Sequence, residues 1–409
     1  MATSATAAAT TTRWVPGLPA GGRVVVAKFG SSQIDAARSS LVLEAQPVPT
    51  DADLFDGDIV VEVRAAEIVW TDTVMATGQY QHRPRLPYSP GMTYAGVVVG
   101  LTAKAAAEFH VSLGQRVAIA SPLAGPRSLG RHQSYGGCAT YAVAPASAVR
   151  RVPDQWSFAE AACFAYGYDT AYHCLVERAR VKKGDVVLVL GATGGVGIPA
   201  LAIAKHQGAV VIAVTRSEAK AALLKQRGAD HVISIPAGAA TGPQQIKAIA
   251  AAAKKLTPGN RGVDIVYDGV GGVSTIAGMR SLKFGGKLLI VGWAATPNVG
   301  KAGSPTSGGT VKANVLPTNL IMMKSLVVMG CPAMIAAKMD PAVAVRRHRD
   351  LTKWILAGEL PAPLVAETFE LADTSKALLS RINSGGTFGA TVVVQPPRHA
   401  PAIEIKSRL

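Results

Sequence analysis

The chain has 409 residues, of which 49% are hydrophobic and 17% charged, and its mean hydropathy is +0.25. This length exceeds what one hydrophobic core usually serves, so two domains are predicted, and the apolar content excludes a mainly disordered chain. The 42 Lys and Arg against 26 Asp and Glu give a net charge of +16, but no basic segment is interleaved with aromatic residues, and no nucleic-acid partner is expected.

The N-terminal part of the chain is predicted to form strands and turns. Residues 1–22 begin with an Ala- and Thr-rich stretch and are expected to be a flexible extension, either disordered or a transit peptide. Between residues 23 and 160, β-branched segments such as 58–64 and 95–100 are bounded by Gly, Pro and Asp. This texture is typical of a small β-barrel domain.

After Pro153, predicted strands and helices alternate. The strands are 185–190, 209–214, 263–267 and 287–291, and the helices are 196–207, 218–226 and 341–357. Near-continuous apolar strands in this order predict a parallel, doubly wound α/β sheet with helices on both faces. Residues 294–312, rich in Gly, Pro, Ser and Thr, are predicted to form a long loop, and 390–394 a closing strand.

Two features exclude other classes of protein. Residues 186–204 carry no charge and are long enough to cross a bilayer, but five Gly and Pro residues within them favour a strand, a turn and a helix, so no membrane span is expected. The four cysteines, Cys138, Cys163, Cys174 and Cys331, form no CxxC motif. A disulfide framework and a four-cysteine zinc lobe are therefore not expected.

A glycine-rich turn lies between the predicted strand 185–190 and the helix that follows. Its sequence is Gly191-Ala-Thr193-Gly194-Gly195-Val196-Gly197. Glycines let the backbone approach a pyrophosphate closely, and a helix N-terminus offers unpaired N–H groups to it. In this βαβ context the turn predicts dinucleotide binding.

The end of the next strand indicates which dinucleotide is bound. NAD sites usually hold the ribose 2′-hydroxyl with an acid at this point, whereas here Thr215, Arg216 and Ser217 are followed by Lys220. Two cations and two hydroxyls suit a 2′-phosphate, so NADPH is the expected cofactor. The alternative, that Arg216 and Lys220 are solvated residues at a helix start, stays open.

Several motifs, in chain order, resemble those of one enzyme family. They are Gly78-Gln-Tyr80, Leu86-Pro-Tyr-Ser-Pro-Gly91, Gly167-Tyr-Asp-Thr170-Ala-Tyr172, Tyr267-Asp268-Gly-Val270-Gly-Gly272 and Asn319-Leu-Ile-Met-Met-Lys324. Over residues 23–394 the chain resembles the medium-chain dehydrogenase/reductase superfamily, in its zinc-independent quinone-reductase and enoyl-reductase branch.

The resemblance implies an architecture. A GroES-like β-barrel catalytic domain (23–160) would precede a Rossmann NADPH-binding domain (161–335), and residues 336–396 would return to the first domain before a C-terminal tail (397–409). It also implies a homodimer and further cofactor-binding positions, which are Thr170, Asp268, Val270, Gly292 and Asn319.

The resemblance also implies roles for two hydroxyl residues and the loss of a metal. Tyr80 matches a catalytic tyrosine and Thr71 a proton-relay hydroxyl, although Tyr80 could instead line the cleft and Thr71 bind substrate or ribose. Zinc-dependent members carry Cys where this chain has Val69, His-Glu where it has Met92-Thr93, and a further Cys near Tyr166. Because Zn²⁺ requires thiolate or imidazole ligands, no metal is expected.

The expected function is therefore NADPH-dependent hydride transfer to quinones or α,β-unsaturated carbonyl compounds, including 2-enoyl thioesters. The loss of the polar residues usual at Val69 and Val74 leaves an alternative, a non-catalytic NADPH-binding protein of the same fold. The chain ends in Ser407-Arg408-Leu409, a variant of the Ser-Lys-Leu peroxisomal address. Peroxisomal location and a peroxisomal import receptor as partner are expected, with the cytoplasm as the alternative.

Overall fold

The N-terminal part of the chain forms most of a largely antiparallel sheet and a separate two-stranded sheet. The computed structural model describes residues 12–120, 123–235, 242–292, 315–383 and 388–397. The strands in this part are β1 Thr12–Trp14, β2 Gly21–Val26, β3 Leu41–Gln46, β4 Asp58–Ile68, β5 Thr93–Thr102, β6 Arg116–Ile119, β7 Tyr141–Pro145 and β8 Val149–Arg150. The helices between them are α1 Gln33–Ser39, α2 Trp70–Met75 and α3 Ala103–Phe109.

Helices and parallel strands then alternate. The strands are β9 Val186–Leu190, β10 Val210–Thr215, β11 His231–Ser234, β12 Val263–Asp268, β13 Leu282–Ile290 and β14 Val327–Gly330. The helices are α4 Phe158–Ala162, α5 Phe164–Tyr172, α6 Gly197–His206, α7 Ala221–Gln226, α8 Pro243–Lys255, α9 Val273–Ser281, α10 Thr318–Met323, α11 Ala333–Met339 and α12 Pro341–Leu356. The chain closes with β15 Val365–Glu370, α13 Thr374–Ile382 and β16 Ala390–Val394.

The parallel sheet confirms the predicted Rossmann architecture. In the described part of the chain it has six strands in the order β11-β10-β9-β12-β13-β14, and every pairing is parallel. The order reverses between β9 and β12, so a crevice opens at their carboxyl ends, where such sheets bind ligands. The sheet has a hydrophobic core on each face, and the residues of β9 alternate between them. Val187 and Val189 pack in one core, and Leu188 and Leu190 pack in the other.

The first sheet surrounds its own apolar core. Long strand β4 pairs with β5, β7 and β16, and Ile59, Val61 and Val63 on one of its faces pack against Val98 of β5. Strand β16 returns from the C-terminal region to pair with β4 in antiparallel register. The closing strand is thus confirmed, and it joins the chain's last element to its first domain.

Two segments differ from the expected domain boundaries. Strand β1 lies within residues 1–22, predicted to be flexible, yet Thr12–Trp14 pairs with β5, where Trp14 packs over Gly100. Helix α12 lies within residues 336–396, assigned to the first domain, yet its Leu351 and Ile355 pack in the Rossmann core. Because of these apolar contacts, α12 is part of the Rossmann domain, and the chain leaves this domain in the segment that leads into β15.

Some predictions concern residues outside those that the structure describes. The Gly- and Pro-rich loop 294–312 and the C-terminal Ser407-Arg408-Leu409 fall in this category, and both stay predictions. The apolar stretch 186–204 is divided between strand β9, the glycine turn and helix α6. None of the helices in the described segments combines the length and apolar character that a membrane crossing requires.

Candidate active site

A cavity of about 1210 Å³ lies between the two domains and opens at the carboxyl ends of β9 and β12. Most residues that the sequence assigns to cofactor or catalysis line it. These are Thr71, Tyr80, Thr170, Gly191, Thr193, Gly194, Gly195, Val196, Thr215, Arg216, Val270 and Gly292. The fold therefore brings predicted residues from segments far apart along the chain to one cavity.

The glycine turn forms the floor of the cavity. Gly191 has φ +74°, a conformation that favours glycine, and the N–H of Gly194 donates to its carbonyl oxygen over 3.2 Å. A Cβ on Gly197 would lie 2.2 Å from the Gly191 carbonyl oxygen, so only glycine lets helix α6 begin this close to the strand. Gly194 and Gly195 expose bare backbone at the N-terminus of α6, where an anion is favoured.

The tip of β10 is positively charged. Arg216 is exposed and lines the cavity, while the Thr215 hydroxyl oxygen accepts the Ser217 N–H over 3.1 Å and fixes the turn. Partial burial and the nearby Arg216 guanidinium lower the pKa of Lys220. A bound anion would relieve this repulsion between the two cations.

Five of the predicted cofactor residues do not line the cavity, namely Gly197, Ser217, Lys220, Asp268 and Asn319. Asp268 is buried, and its carboxylate accepts the N–H groups of Val270 and Gly271 and the Thr275 hydroxyl. It thereby shapes the turn whose Val270 faces the cavity. Asn319 lies exposed on α10.

Two hydroxyl groups meet at the opposite end of the cavity. Thr71 Oγ1 lies 3.1 Å from Tyr166 Oη, and either can donate to the other. Thr71 is held in α2, whose first turn is capped by Asp72, because the Asp72 carboxylate accepts the N–H groups of Val69 and Gly91. Burial raises the pKa of Tyr166, so its phenol stays protonated. The pair therefore offers an O–H donor to a ligand.

Tyr80 lies at the same end of the cavity and carries a cation above its ring. The Arg127 guanidinium carbon is 5.2 Å from the ring centroid of Tyr80, and both side chains line the cavity. The electrostatic influence of Arg127 also reaches Tyr166 and Asp72, lowering the pKa of each against the larger effect of burial. A cation and three hydroxyl groups thus share this end of the site.

Comparison with known proteins places these features in a family. The chain matches the alcohol dehydrogenase GroES-like domain over residues 55–154 and the zinc-binding dehydrogenase model over 195–345. It is 27% identical to human quinone oxidoreductase over 352 residues, which cover 85% of this chain and 92% of the relative. The chain belongs to the medium-chain dehydrogenase/reductase superfamily.

Solved structures agree with this membership. A mycobacterial protein complexed with NADPH has 26% identity and a TM-score of 0.72, over 92% of this chain and 100% of that one. A probable oxidoreductase from Mycobacterium abscessus has 26% identity and a TM-score of 0.69, over 93% and 100%. The chain is therefore a member of an oxidoreductase family, in the quinone-reductase branch, and the predicted GroES-like and Rossmann domains are confirmed.

The positions that correspond to zinc ligands in zinc-dependent members of the superfamily have other contacts. Val69 and Met92 are buried in an apolar cluster. The Thr93 hydroxyl donates to Glu67 over 3.3 Å, and Tyr166 pairs with Thr71. In the segments that the structure covers, no three His, Cys, Asp or Glu residues are grouped so as to hold a metal ion.

The polar residues that line the site and that sequence reasoning missed include Glu67, Arg127, Tyr166 and Arg381. Arg127 and Arg381 belong to no motif, and only the fold brings them to the cavity. Glu67 did leave a signal, because it is a lone acid in the apolar run that ends β4. Burial raises its pKa to about 8, opposed by the charge of Arg381.

Proposed function

We propose that this protein reduces quinones or α,β-unsaturated carbonyl compounds, 2-enoyl thioesters included, by hydride transfer from NADPH without a metal ion. The observation that carries this proposal is the single cavity that joins a glycine-turn nucleotide site to a pair of hydroxyl donors. A reaction of this kind needs both parts, since the hydride donor and the acceptor must lie in contact.

The nucleotide end fits a dinucleotide phosphate. Gly194 and Gly195 leave space over the start of helix α6 that side chains would fill, and the α6 N-terminus favours a pyrophosphate there. Arg216 at the tip of β10, with Lys220 close by, suits a ribose 2′-phosphate, and no acid stands at that tip to hold a 2′-hydroxyl. These residues favour NADPH over NADH as the cofactor.

NADPH, when bound, supplies the hydride. At the acceptor end, the Thr71–Tyr166 pair donates a hydrogen bond to the carbonyl oxygen as it gains negative charge. Because burial raises the pKa of Tyr166, its phenol stays neutral and can donate this hydrogen bond across the physiological pH range. Tyr80 is a second candidate donor, and its ring lies under the Arg127 cation.

Zinc independence is supported by the side chains at the four corresponding positions. Val69 and Met92 supply no thiolate or imidazole and pack against apolar neighbours such as Met75 and Tyr88. Without a Lewis acid, the chain must stabilise charge on an acceptor that is already polarised. Quinones and enones are polarised acceptors of this kind, whereas a simple alcohol is not.

We also propose a homodimer formed through the edge of the Rossmann sheet. In the described part of the chain, β14 pairs on one side only, and its Val327 and Val328 are 43% and 36% exposed. Phe284, Met322 and Met323 are exposed by 66–74% and belong to the segments that precede β14. An open apolar edge strand of this kind is a template for pairing with a second copy.

The proposed function is tested by measuring NADPH oxidation against a panel of 1,4-quinones, 2-alkenals and trans-2-enoyl-CoAs. Turnover is expected with at least one of these classes, and a metal chelator is not expected to lower the rate. Measurable NADPH binding with no turnover in any class would contradict the enzymatic proposal and favour the non-catalytic alternative.

A further inference from the structure

The acceptor end of the cavity contains a cation that the proposed chemistry does not require. Arg127 is half-buried, lines the cavity and stacks over Tyr80. Among the described residues it has no ion pair with a carboxylate. The guanidinium group has five N–H donors, and the ring face below it accepts none of them as a conventional hydrogen bond.

Asp72, a carboxyl whose pKa is lowered by the charge of Arg127, already accepts other hydrogen bonds. Both oxygens of Asp72 accept backbone N–H groups, from Val69 over 2.9 Å and from Gly91 over 3.1 Å. Burial is the main influence on this carboxyl and raises its pKa to about 7, so it is an incomplete negative charge near neutrality. Asp72 therefore holds the α2 turn and does not neutralise Arg127.

The loop that carries Arg127 is rigidly built. The Ser128 N–H and hydroxyl both donate to the Gly125 carbonyl oxygen, over 2.9 and 2.7 Å. The buried Gln133 amide then donates to the Ser128 carbonyl oxygen over 3.2 Å. These bonds fix the backbone immediately after Arg127, so the side chain starts from a defined position, as a recognition residue requires.

The surroundings of the loop are positive as well. His82 contacts the Pro126 carbonyl oxygen over 3.1 Å, and partial burial lowers its pKa, with further lowering by the charges of Arg127 and Lys338. Lys338 belongs to helix α11, whose first residues line the cavity. An anion entering this end of the site is therefore attracted before it meets Arg127.

We propose that Arg127 binds a carboxylate on the acceptor, so that the preferred substrates are enones or quinones that carry a carboxylate beside the reducible system. This inference rests on the proposed function. A planar guanidinium matches a carboxylate in two parallel hydrogen bonds. Because Arg127 shares this end of the cavity with Thr71 and Tyr166, the carboxylate lies near the reacting carbonyl and not at a distant end of the molecule.

The reaction balances for such a substrate. Hydride from NADPH bonds to the β carbon of the enone, and the π electron pair moves onto the carbonyl oxygen, which the Thr71–Tyr166 pair stabilises. A proton from water then bonds to the α carbon, leaving the saturated oxo acid and NADP⁺. Arg127 takes no part in bond making, since it only holds the carboxylate that the substrate already carries.

The test compares trans-4-oxo-2-pentenoate with its methyl ester, which keeps the enone and lacks the charge. The ratio of kcat/KM for the acid to that for the ester is expected to fall by about tenfold or more in Arg127→Gln, and less in Arg127→Lys. Arg83→Gln is the matched control, because Arg83 stacks over Phe29 and does not line the cavity. Its ratio should equal that of the wild type.

The outcomes separate this inference from the proposed function. If the ester and a 1,4-naphthoquinone are reduced but Arg127→Gln leaves the ratio unchanged, the carboxylate site is wrong and the reductase stands. If neither substrate is reduced, Arg127 is tested directly by the binding of 4-oxopentanoate to the NADPH complex. This binding is measured by the change in nucleotide fluorescence. Binding that is at least tenfold weaker in Arg127→Gln than in Arg83→Gln supports the site, and equal binding overturns it.

Discussion

At the scale of single residues, the Thr71–Tyr166 pair is the feature on which the proposed chemistry depends. Thr71→Val and Tyr166→Phe each remove one hydroxyl from a contact of 3.1 Å. Each variant is expected to lose about 10²-fold in kcat for the best acceptor, as single donors to a developing oxyanion do, with little change in NADPH affinity. Stopped-flow kinetics and NADPH titration provide the two measurements.

The double variant of this pair gives the more specific result. Because the two hydroxyls act as one donor chain, its loss should be close to that of the worse single variant and not the product of both. Tyr80→Phe serves as the comparison, since Tyr80 lines the same end of the cavity without a hydrogen bond to Thr71. A larger loss in Tyr80→Phe than in either member of the pair would move the donor role to Tyr80.

Glu67 is a buried acid whose protonation contributes to stability. Burial raises its pKa to about 8, while the charge of Arg381 and the hydrogen bond from Thr93 lower it and the charge of Asp72 raises it. The folded protein therefore binds a proton that the unfolded chain, with a carboxyl pKa of 4.5, releases. Stability contributed by this group is full below pH 4.5 and is lost as the pH rises to about 8.

The Glu67→Gln variant removes this pH dependence. Wild-type stability should fall between pH 5.5 and 8.5 with a slope of up to about 1.4 kcal/mol per pH unit from this site. Glu67→Gln should fall less steeply and become the more stable protein at pH 8.5. Thermal unfolding at several pH values measures both slopes, and parallel curves for the two proteins would show that Glu67 is ionised in the fold.

We propose that Arg216 and Lys220 decide the choice between NADPH and NADH. Arg216→Ala combined with Lys220→Glu removes two charges at the tip of β10 and introduces a negative one. The affinity for NADPH should fall by about 10²-fold, whereas that for NADH should change by less than about threefold, because only NADPH carries the 2′-phosphate. Equal losses for both nucleotides would refute the assignment of the phosphate to these cations.

At the scale of elements, the β9–α6 turn is predictable in detail from its glycines, but each glycine has a different task. A Cβ on Gly197 would lie 2.2 Å from the Gly191 carbonyl oxygen, whereas one on Gly194 would have its closest contact at 3.6 Å. Gly197→Ala is therefore expected to destabilise the protein by about 1–3 kcal/mol, as overpacking does.

The matched control for this turn is Gly194→Ala. It should leave the midpoint of urea unfolding close to that of the wild type, because its Cβ makes only an ordinary van der Waals contact, with the Gly191 carbonyl oxygen at 3.6 Å. It should still weaken NADPH binding, since it fills the cradle above the helix N-terminus. Similar unfolding midpoints for Gly197→Ala and Gly194→Ala would show that the close approach of α6 is not needed.

The elements that the sequence predicted well are those with a local signal. Strand β9, helix α6 and strand β16 lie within about one residue of their predicted bounds, because apolar runs, glycines and β-branched residues mark their ends. Helices α1 and α3 lie in a region whose composition predicts strands, since short helices with small residues carry little periodicity. Strand β1 forms through tertiary packing on β5, which composition does not reveal.

At the scale of the whole molecule, the sequence motifs point to the proposed nucleotide half of the site, whereas much of the proposed acceptor half lies outside them. The nucleotide half is built around one βαβ unit, whose residues are close in sequence and follow a known physical pattern. The acceptor half combines Thr71 of α2, Arg127 of a loop and Tyr166 of α5, which share the site only because both domains close on it. No local pattern encodes that convergence.

The proposed dimer is a prediction of the same scale. Val327→Lys places a charge on the open edge of β14 and should convert a dimer into a monomer, as measured by size-exclusion chromatography with light scattering. Val42→Lys, on an exposed position of β3 in the first domain, should keep the wild-type mass. A Val327→Lys protein that stays dimeric would show that the subunits associate elsewhere.

We propose that hydride passes within one cavity from NADPH to an activated alkene or quinone. The most direct measurement supplies NADPH deuterated at nicotinamide C4, on each face in turn, together with methyl trans-4-oxo-2-pentenoate. Mass spectrometry of the product should show one deuterium at the β carbon for one of the two labelled faces and none for the other. Reduction of the alkene that leaves the product unlabelled with both forms of NADPH would contradict direct hydride transfer.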